Sequence, residues 1–386
     1  MKLCHKAVIK RRQNTAIHFM TDFLVDSIVS LKTTLGLRNM KIKLLTTLIA
    51  ASAITAAPAT FAEELKISTK GGNLKVSQGE SSIQIGGRLM VDYNRAELNG
   101  IVDEDQFEDR RARIYVKGNV TNDWAYKLQF NIDGSGFEDL YLQYKGWGKA
   151  AKLTIGNQRQ NFGLEDQTSS NDISVLERTG LSELFAPGRS EGVTLAGDLG
   201  GGVNYSVGAF SEETDSEEEG EELAFAGRVT WAPVHTKTDL VHFGLAYLDD
   251  GNESDAFGIE AAAVSGPFHI QAEYADGTID GQDADGFYVQ AGYVLTGEVR
   301  PYKGGSFKRV SPEGKAGAWE VVARYEDGDG NFSDIELGRT DAKAYTIGVN
   351  YYVNKRIRVG VNYTDGEDNL SDDDGNEFRV RLGFAF

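Results

Sequence analysis

The last nine residues, Phe378-Arg379-Val380-Arg381-Leu382-Gly383-Phe384-Ala385-Phe386, alternate strictly between apolar side chains and polar or small ones. Successive side chains of an extended strand point to opposite faces. Phe378, Val380, Leu382, Phe384 and Phe386 therefore share one face, and Arg379 and Arg381 the other. Such a segment suits a wall between an oily and a wet medium. In a closed transmembrane barrel those media are lipid and lumen; in a soluble sandwich the same pattern serves as an edge strand.

The rest of the chain repeats the pattern. From residue 82 onward, apolar-alternating segments of about ten residues recur, the length a tilted strand needs to cross hydrocarbon. They span 82–93, 110–119, 123–133, 138–146, 151–157, 190–198, 202–211, 223–232, 238–249, 256–265, 267–275, 286–297, 316–328, 342–353, 355–365 and 376–386. This even set of sixteen predicts an all-β fold, a transmembrane antiparallel β-barrel. Composition agrees: 45 Gly and only 6 Pro suit many strands joined by glycine-containing turns. No run of about 18 apolar residues occurs in this part of the chain, which excludes a helical membrane domain.

Link lengths supply an independent test, because bacterial barrels alternate short periplasmic turns with longer outside loops. Short links fall at Thr121-Asn122, Gly146 to Ala150, Leu199 to Gly201, Ser265 to Pro267 and Asn354, each after an even-numbered strand. Long links at 94–109, 158–189, 212–222, 276–285, 329–341 and 366–375 all follow odd-numbered strands. One link breaks the rule. Glu298 to Lys315 is long where a short turn belongs, so either a strand is missed there or the turn is elaborated. The acidic run from Glu212 to Glu222 and the run Asp372-Asp373-Asp374 read as solvated tips of outside loops. Carboxylates there could also bridge lipopolysaccharide through divalent cations.

The start of the chain carries an address rather than a fold. Met40-Lys41-Ile42-Lys43 leads into Leu44 to Ala53 and then the small residues Ala57, Ala59 and Ala62, the three regions of a secretory signal. We therefore expect a signal peptide over 40–62, cleaved after Ala62 or Ala59. Residues 1–39 are then an upstream extension from a start assigned too early, with Met40 the true start; a long charged leader is the alternative. A short periplasmic N-terminal extension over 63–81 would precede the barrel domain, 82–386. The only cysteine, Cys4, falls in the upstream stretch, so the exported chain can hold neither a disulfide nor a thiolate metal site. Without residues 1–62 there are 31 Lys/Arg against 56 Asp/Glu, a net charge of −25, and nucleic acid is not a sensible partner.

Parity places the charges that remain. Along Arg110-Arg111-Ala112-Arg113-Ile114-Tyr115-Val116-Lys117, outward Ala112, Ile114 and Val116 leave Arg111, Arg113 and Lys117 inward. An uncompensated charge facing mid-bilayer lipid costs about 2–4 kcal/mol, so the slipped register is strongly disfavoured. The next strand, with Tyr126, Leu128, Phe130 and Ile132 outward, adds Lys127. Over the whole barrel this parity gives thirteen inward cations against nine inward acids: Asp92, Asp133, Asp139, Asp198, Glu260, Glu273, Glu320, Glu326 and Glu377. The wall leans positive inside a strongly negative molecule. A ladder of guanidinium groups can pass an oxyanion from one planar fork to the next, which favours an anion path; in many barrels such Arg and acid residues simply satisfy one another. Arg111, Arg113, Lys117 and Lys127 make the best candidate cluster.

The third outside link, Gln158 to Arg189, is 32 residues long, and loops of that length are uncommon unless functional. It carries Arg159, Glu165, Asp166, Glu177, Arg178 and Arg189. We expect it to fold inward and narrow the lumen; the alternative is a cover over the outside mouth.

Several segments together resemble one family. Ile85-Gly86-Gly87-Arg88-Leu89, Arg110-Arg111-Ala112-Arg113, Asp123-Trp124-Ala125-Tyr126-Lys127-Leu128, Thr168-Ser169-Ser170-Asn171-Asp172, Leu176-Glu177-Arg178 and Ala186-Pro187-Gly188-Arg189 look like the phosphate-selective porin O and P family, and Gly317-Ala318-Trp319-Glu320 with Arg324-Tyr325 extends the likeness. The terminal aromatic also resembles the signal for insertion into the outer membrane. The resemblance implies a sixteen-stranded porin of a Gram-negative outer membrane, commonly a homotrimer, whose inward loop and inner cations guide phosphate or related anions. By position, Arg111, Arg113 and Lys127 belong to that path, with Arg159, Arg178 and Arg189 presented by the loop. The nine inward acids and the acidic loops depart from what a dedicated phosphate collector should show.

The function expected is passive diffusion of small solutes through a water-filled channel leaning to anions such as phosphate, without cofactor or reaction. A general or cation-leaning porin is the alternative. An outer-membrane lipase or protease would need a nucleophile and base poised together, whereas His235, His242 and His269 read as ordinary lumen or turn residues. A purely adhesive barrel would have a plugged lumen. The expected partners are small anions, outer-membrane lipid and lipopolysaccharide.

Overall fold

Alternation along the sequence becomes pairing in space. The computed structural model describes residues 64–386 apart from 70–71, 133–135, 213–221, 252, 280 and 332–338. The expected upstream extension and signal peptide, and Asp133, lie outside the described residues. The barrel strands are β1 (Ser81–Leu98), β2 (Ile101–Asn119), β3 (Trp124–Asn131), β4 (Phe137–Tyr144), β5 (Lys152–Arg159), β6 (Arg189–Gly200), β7 (Val203–Glu212) and β8 (Glu222–His235). They continue as β9 (Asp239–Asp249), β10 (Asp255–Ser265), β11 (Phe268–Ile279), β12 (Gln282–Val294), β13 (Ala318–Asn331), β14 (Arg339–Tyr352), β15 (Ile357–Asp368) and β16 (Asp373–Ala385). Each is antiparallel to the next, and β16 pairs with β1 through Phe384↔Leu89 and Arg381↔Asp92, which closes the barrel. All sixteen expected segments are present.

Outward and inward faces invert the order of a soluble protein. Leu142, Ile155, Leu245, Ile347 and Leu382 stand exposed on the outside, while Asp92, Gln129, His242, Glu320, Asn350 and Arg381 are buried within. That is the arrangement a lipid solvent selects.

Two features were not visible in the alternation. β1 and β2 run on to a tight turn at Asn99-Gly100, so most of the expected outside loop 94–109 is a two-stranded ribbon; 276–285 and 366–375 are likewise largely strand. Pairing continues where the outward positions change from apolar to acidic. Asp276, Asp285, Asp329 and Asp341 oppose one another across four strands, just beyond the outward Tyr274, Phe287, Tyr325 and Tyr345. The expected loops 212–222 and 329–341 fall mostly outside the described residues.

The second feature is a set of β-bulges, two of which bring charges into the interior. Between Met90/Val91 and Arg111/Asp109 the register skips Arg110, and between Gln129/Phe130 and Asp139/Phe137 it skips Glu138. An extra residue re-aims the side chain that parity assigned to the other face. Both Arg110 and Glu138 reach interior partners, Arg110 although it shares the parity of the outward Ala112, Ile114 and Val116.

Residues 66–78, expected as a plain extension, contribute two short strands. Leu74–Gln78 pairs with the start of β1, and Lys66–Ser68 pairs with Leu74–Gln78. The anomalous link after β12 is an elaborated turn, not a missed barrel strand. Tyr302–Lys303 and Ser306–Phe307 form a small hairpin about Gly304-Gly305, whose φ values of 60° and 80° fit a two-residue hairpin loop.

Candidate functional site

The candidate site is the lumen between the wall and two segments bonded to it. The first is the β5–β6 link, with helices α1 (Leu164–Gln167) and α2 (Gly180–Phe185). Glu165 ties the helices together, accepting from the Thr179 amide at 2.8 Å and from the Thr179 and Ser182 hydroxyls at 2.9 and 2.8 Å. Inward carboxylates then hold the link to the wall. Glu273 of β11 accepts from the Leu164 and Glu165 amides at 2.6 and 2.7 Å, Glu320 of β13 from the Ser174 hydroxyl at 2.8 Å, and Glu326 from the Gly180 amide at 2.7 Å. Wall cations take the link's carbonyls: Arg358 donates to Ile173 O at 2.5 Å and Arg324 to Glu177 O at 2.9 Å.

Glu177 is the link's strongest tie to the opposite sector. Arg110 and Arg111 of β2 and Arg379 and Arg381 of β16 all donate to its carboxylate, and Asp92 of β1 binds Arg379 and Arg381 from behind. Burial alone would raise the Glu177 pKa. Arg111, Arg381 and Arg110 more than offset it and hold the carboxyl well below the usual range.

The second segment is the β12–β13 turn, 295–317. Phe307 is fully buried beside Leu164, Ala232, Leu240, Ala262 and Val264. Its amide donates to Thr168 Oγ1 at 3.4 Å, and Arg309 donates to Asn171 O at 3.0 Å, so turn and link meet. Arg228 of β8 anchors the hairpin through Gly305 O at 2.8 Å and pairs with Glu260 at 2.6 Å.

The charges separate into two groups. Arg228, Arg324, Arg379 and Arg381 are almost closed to solvent, each against a carboxylate. Across the β2–β6 sector the cations touch water. The side chains of Arg113, Arg189, Arg159 and Lys127 are 18%, 19%, 23% and 27% exposed, while their partners Glu138, Asp139 and Asp166 are only 10%, 5% and 6% exposed. Lys127 lies 2.6 Å from Asp139, and Arg189 lies 2.8 Å from Glu138 and 3.0 Å from Asp139. Arg113 pairs with Glu138, and Arg159 with Asp166. Four cations thus stand in front of three shielded acids. The buried donors Gln129 Nε2 and Arg178 Nε have no hydrogen-bond acceptor among the described residues, an arrangement that suits water or an acceptor from solution.

The seven sequence-selected residues therefore divide. Arg113, Lys127, Arg159 and Arg189 come together. Arg159 and Arg189 are cross-strand partners at the end of the β5–β6 ladder, so they sit on strands rather than on the loop itself. Lys117 faces Lys127 directly across the β2–β3 ladder, yet no carboxylate pairs with it among the described residues; its ammonium sits 4.9 Å over the Tyr115 ring. Arg111 is committed to Glu177. Arg178 lies 3.8 Å from Asp166 and donates to Thr168 O at 2.9 Å. Parity could not find Glu138 or Arg110, because each occupies a bulge. Arg88, one of the thirteen cations that alternation turns inward, lies outside these seven; it donates to the Ser170 hydroxyl at 2.5 Å. Gly188-Arg189-Ser190-Glu191-Gly192 has the spacing of a hydrolase nucleophile elbow. It lies where β6 begins on the β5–β6 ladder, not on a strand-to-helix turn.

Comparison with known proteins points one way. A family model described as phosphate-selective porin O and P matches residues 83–258 and 247–386. Porin O of Pseudomonas aeruginosa is 29% identical, over 88% of this chain and 96% of that protein. Among solved structures, the anion-selective porin from Comamonas acidovorans has a TM-score of 0.58 at 15% identity, over 80% of this chain and 100% of that one. The trimer form of OmpT from Vibrio cholerae has a TM-score of 0.51 at 14% identity, again over 80% and 100%. At such identities the two structures speak for the fold.

Proposed function

The chain belongs to the phosphate-selective porin O and P family and is an outer-membrane porin; from that premise we propose that its bore conducts small solutes passively and favours anions of the phosphate class along the β2–β6 sector. The observation that carries this reading is the exposure order in that sector. Arg113, Lys127, Arg159 and Arg189 meet water, while Glu138, Asp139 and Asp166 are shielded behind them. An anion moving past meets guanidinium and ammonium donors first. The inward acids that depart from an anion collector have other work: Glu273, Glu320 and Glu326 hold the β5–β6 link, and Glu260 holds Arg228.

The same proposal has the link narrow the lumen, with Arg178 and Lys117 adding to the positive lining and Arg111 fixing the link in place. It also has three copies assemble in the membrane, as in the trimer form of OmpT, with outer-membrane lipid and lipopolysaccharide around them after removal of a signal peptide. Reversal potentials in a KCl gradient across a planar bilayer test the reading. Anion preference with chloride current reduced by added phosphate supports it, and cation preference replaces it with a general or cation-leaning porin.

A further inference from the structure

Two histidines on the inner wall, His242 and His269, each bridge a wall carboxylate to the β12–β13 turn. His269 Nε2 lies 2.8 Å from Glu320 Oε1, and its Nδ1 lies 3.3 Å from Nη1 of Arg300, a residue of the turn. The three side chains are buried. Arginine offers five donors and no acceptor, so Nδ1 must carry the lone pair; the ring is neutral, with its proton on Nε2 and donated to Glu320. Arg300 extends the junction, donating to Gln271 Oε1 at 2.9 Å and to Asp172 O of the β5–β6 link at 3.3 Å, and stacking 4.1 Å over the Phe307 ring. Wall, turn and link therefore converge on one guanidinium.

The surroundings make this contact a two-state element. Glu320 also accepts from Ser174 Oγ, from Asn350 Nδ2 at 2.7 Å and from Tyr352 Oη at 2.7 Å, so it is held in place. Gly292 of β12 packs directly on the His269 ring and leaves no space for a side chain. The charged or titratable groups near the pair are Glu320 on β13, Tyr352 on β14, Tyr288 on β12 and Asp172 on the link. Arg300 is the cation in contact with the ring and belongs to the turn, where Lys308 and Arg309 lie farther off beside Asp172.

We propose that His269 is a proton-sensitive positioning residue for the 295–317 turn. Neutral, it accepts from Arg300 and keeps the turn across the bore. Protonated, Nδ1 becomes a donor facing a donor, two positive charges meet at 3.3 Å in a buried site, and the turn comes away. His242 has no such role, although it resembles His269 in outline. Its Nδ1 meets the Tyr302 hydroxyl at 2.6 Å and its Nε2 meets Glu260 at 2.9 Å. A hydroxyl can donate or accept, so protonation only reverses that bond. Arg228 and Glu273 lie beyond Glu260, and His235 packs edge-on against Tyr302.

The inference rests on the conducting bore proposed above, and conduction at neutral pH reports on that bore separately from any acid response. Single-channel conductance of the intact protein is compared at about pH 7.5 and about pH 4.5, on either side of the ordinary imidazole range. Wild type should rise by about two-fold on acidification as the bore widens. His269→Gln keeps a carbonyl for Arg300 and an amide for Glu320 but cannot titrate, so it should match wild type at neutral pH and stay flat. A flat wild type, or an equal rise in His269→Gln, overturns the proposal. Should that variant fail to fold, Lys308→Cys in a Cys4→Ser background gives a second readout. Its thiol-labelling rate relative to that of Asn354→Cys, at an exposed position, should increase in acid, and a constant ratio overturns the proposal.

Discussion

Arg110 of β2 donates to Glu177 of the β5–β6 link at 2.7 Å, although strict alternation along β2 turns Arg110 toward lipid. A bulge brings it in, and with Arg111, Arg379 and Arg381 it places four guanidinium groups on one carboxylate. The strands involved are β2 and β16, either side of β1, so the link is fastened beside the seam where the barrel closes.

Removing that carboxylate should therefore free the link. Glu177→Ala leaves buried guanidinium groups short of a counter-charge, a loss of about 3–5 kcal/mol for a broken buried pair. Single-channel records should become noisier with larger open levels, and a quiet record of wild-type size would refute the latch.

The latch should outlast mild acid. A carboxyl whose folded pKa lies well below its unfolded value of about 4.3 contributes stability above that value and loses it only as pH falls through the lower one. Amide exchange across 175–179, corrected for its intrinsic pH dependence, should show equal protection at about pH 7.5 and about pH 4.5. Loss of protection at the lower pH would contradict the sign.

Selectivity should follow the exposed cations rather than the buried ones. Arg113→Gln with Arg189→Gln leaves Glu138 without either ion-pair partner, and should lower the anion-to-cation permeability ratio several-fold, to about one-third. Phosphate block should weaken in parallel. Unchanged reversal potentials would remove the β2–β6 sector from the anion path.

Lys117 is a cleaner probe because no carboxylate among the described residues is orphaned with it. Lys117→Gln should reduce anion preference by less than two-fold, about the effect of one lining charge, with no loss of thermal stability. A large stability loss would show that Lys117 has a structural partner.

The closing pair at the chain end is equally specific. Phe386 and Gly87 exchange backbone hydrogen bonds, Gly87 N to Phe386 O at 2.8 Å and Phe386 N to Gly87 O at 3.0 Å, and the Phe386 ring packs against Gly87. Gly87→Val should impede that pairing and reduce the folded, membrane-inserted fraction in a heat-modifiability gel. An unaltered fraction would show that the seam closes without it.

Sequence alone determined the strand number, the closed antiparallel wall and most of the inward and outward assignments. Each of these depends on a period of two residues enforced by lipid against water, and that period is written in consecutive residues. The expected charges along β2 and β3 followed for the same reason. What alternation could not contain was decided in three dimensions. A single inserted residue at Arg110 or Glu138 shifts the alternation by one, so the outward positions are odd-numbered on one side of it, Phe107 and Phe137, and even-numbered on the other, Ala112 and Leu140. Which inward charges face water and which are spent on tethers depends on contacts between residues far apart in the chain. Glu273 meets Leu164, Glu320 meets Ser174, and His269 meets Arg300. The long β12–β13 link breaks the turn-length rule in the sequence, but only packing against Leu164 and Thr168 decides where it goes. Burial of charge is a property of the assembled interior, and local periodicity carries no information about it.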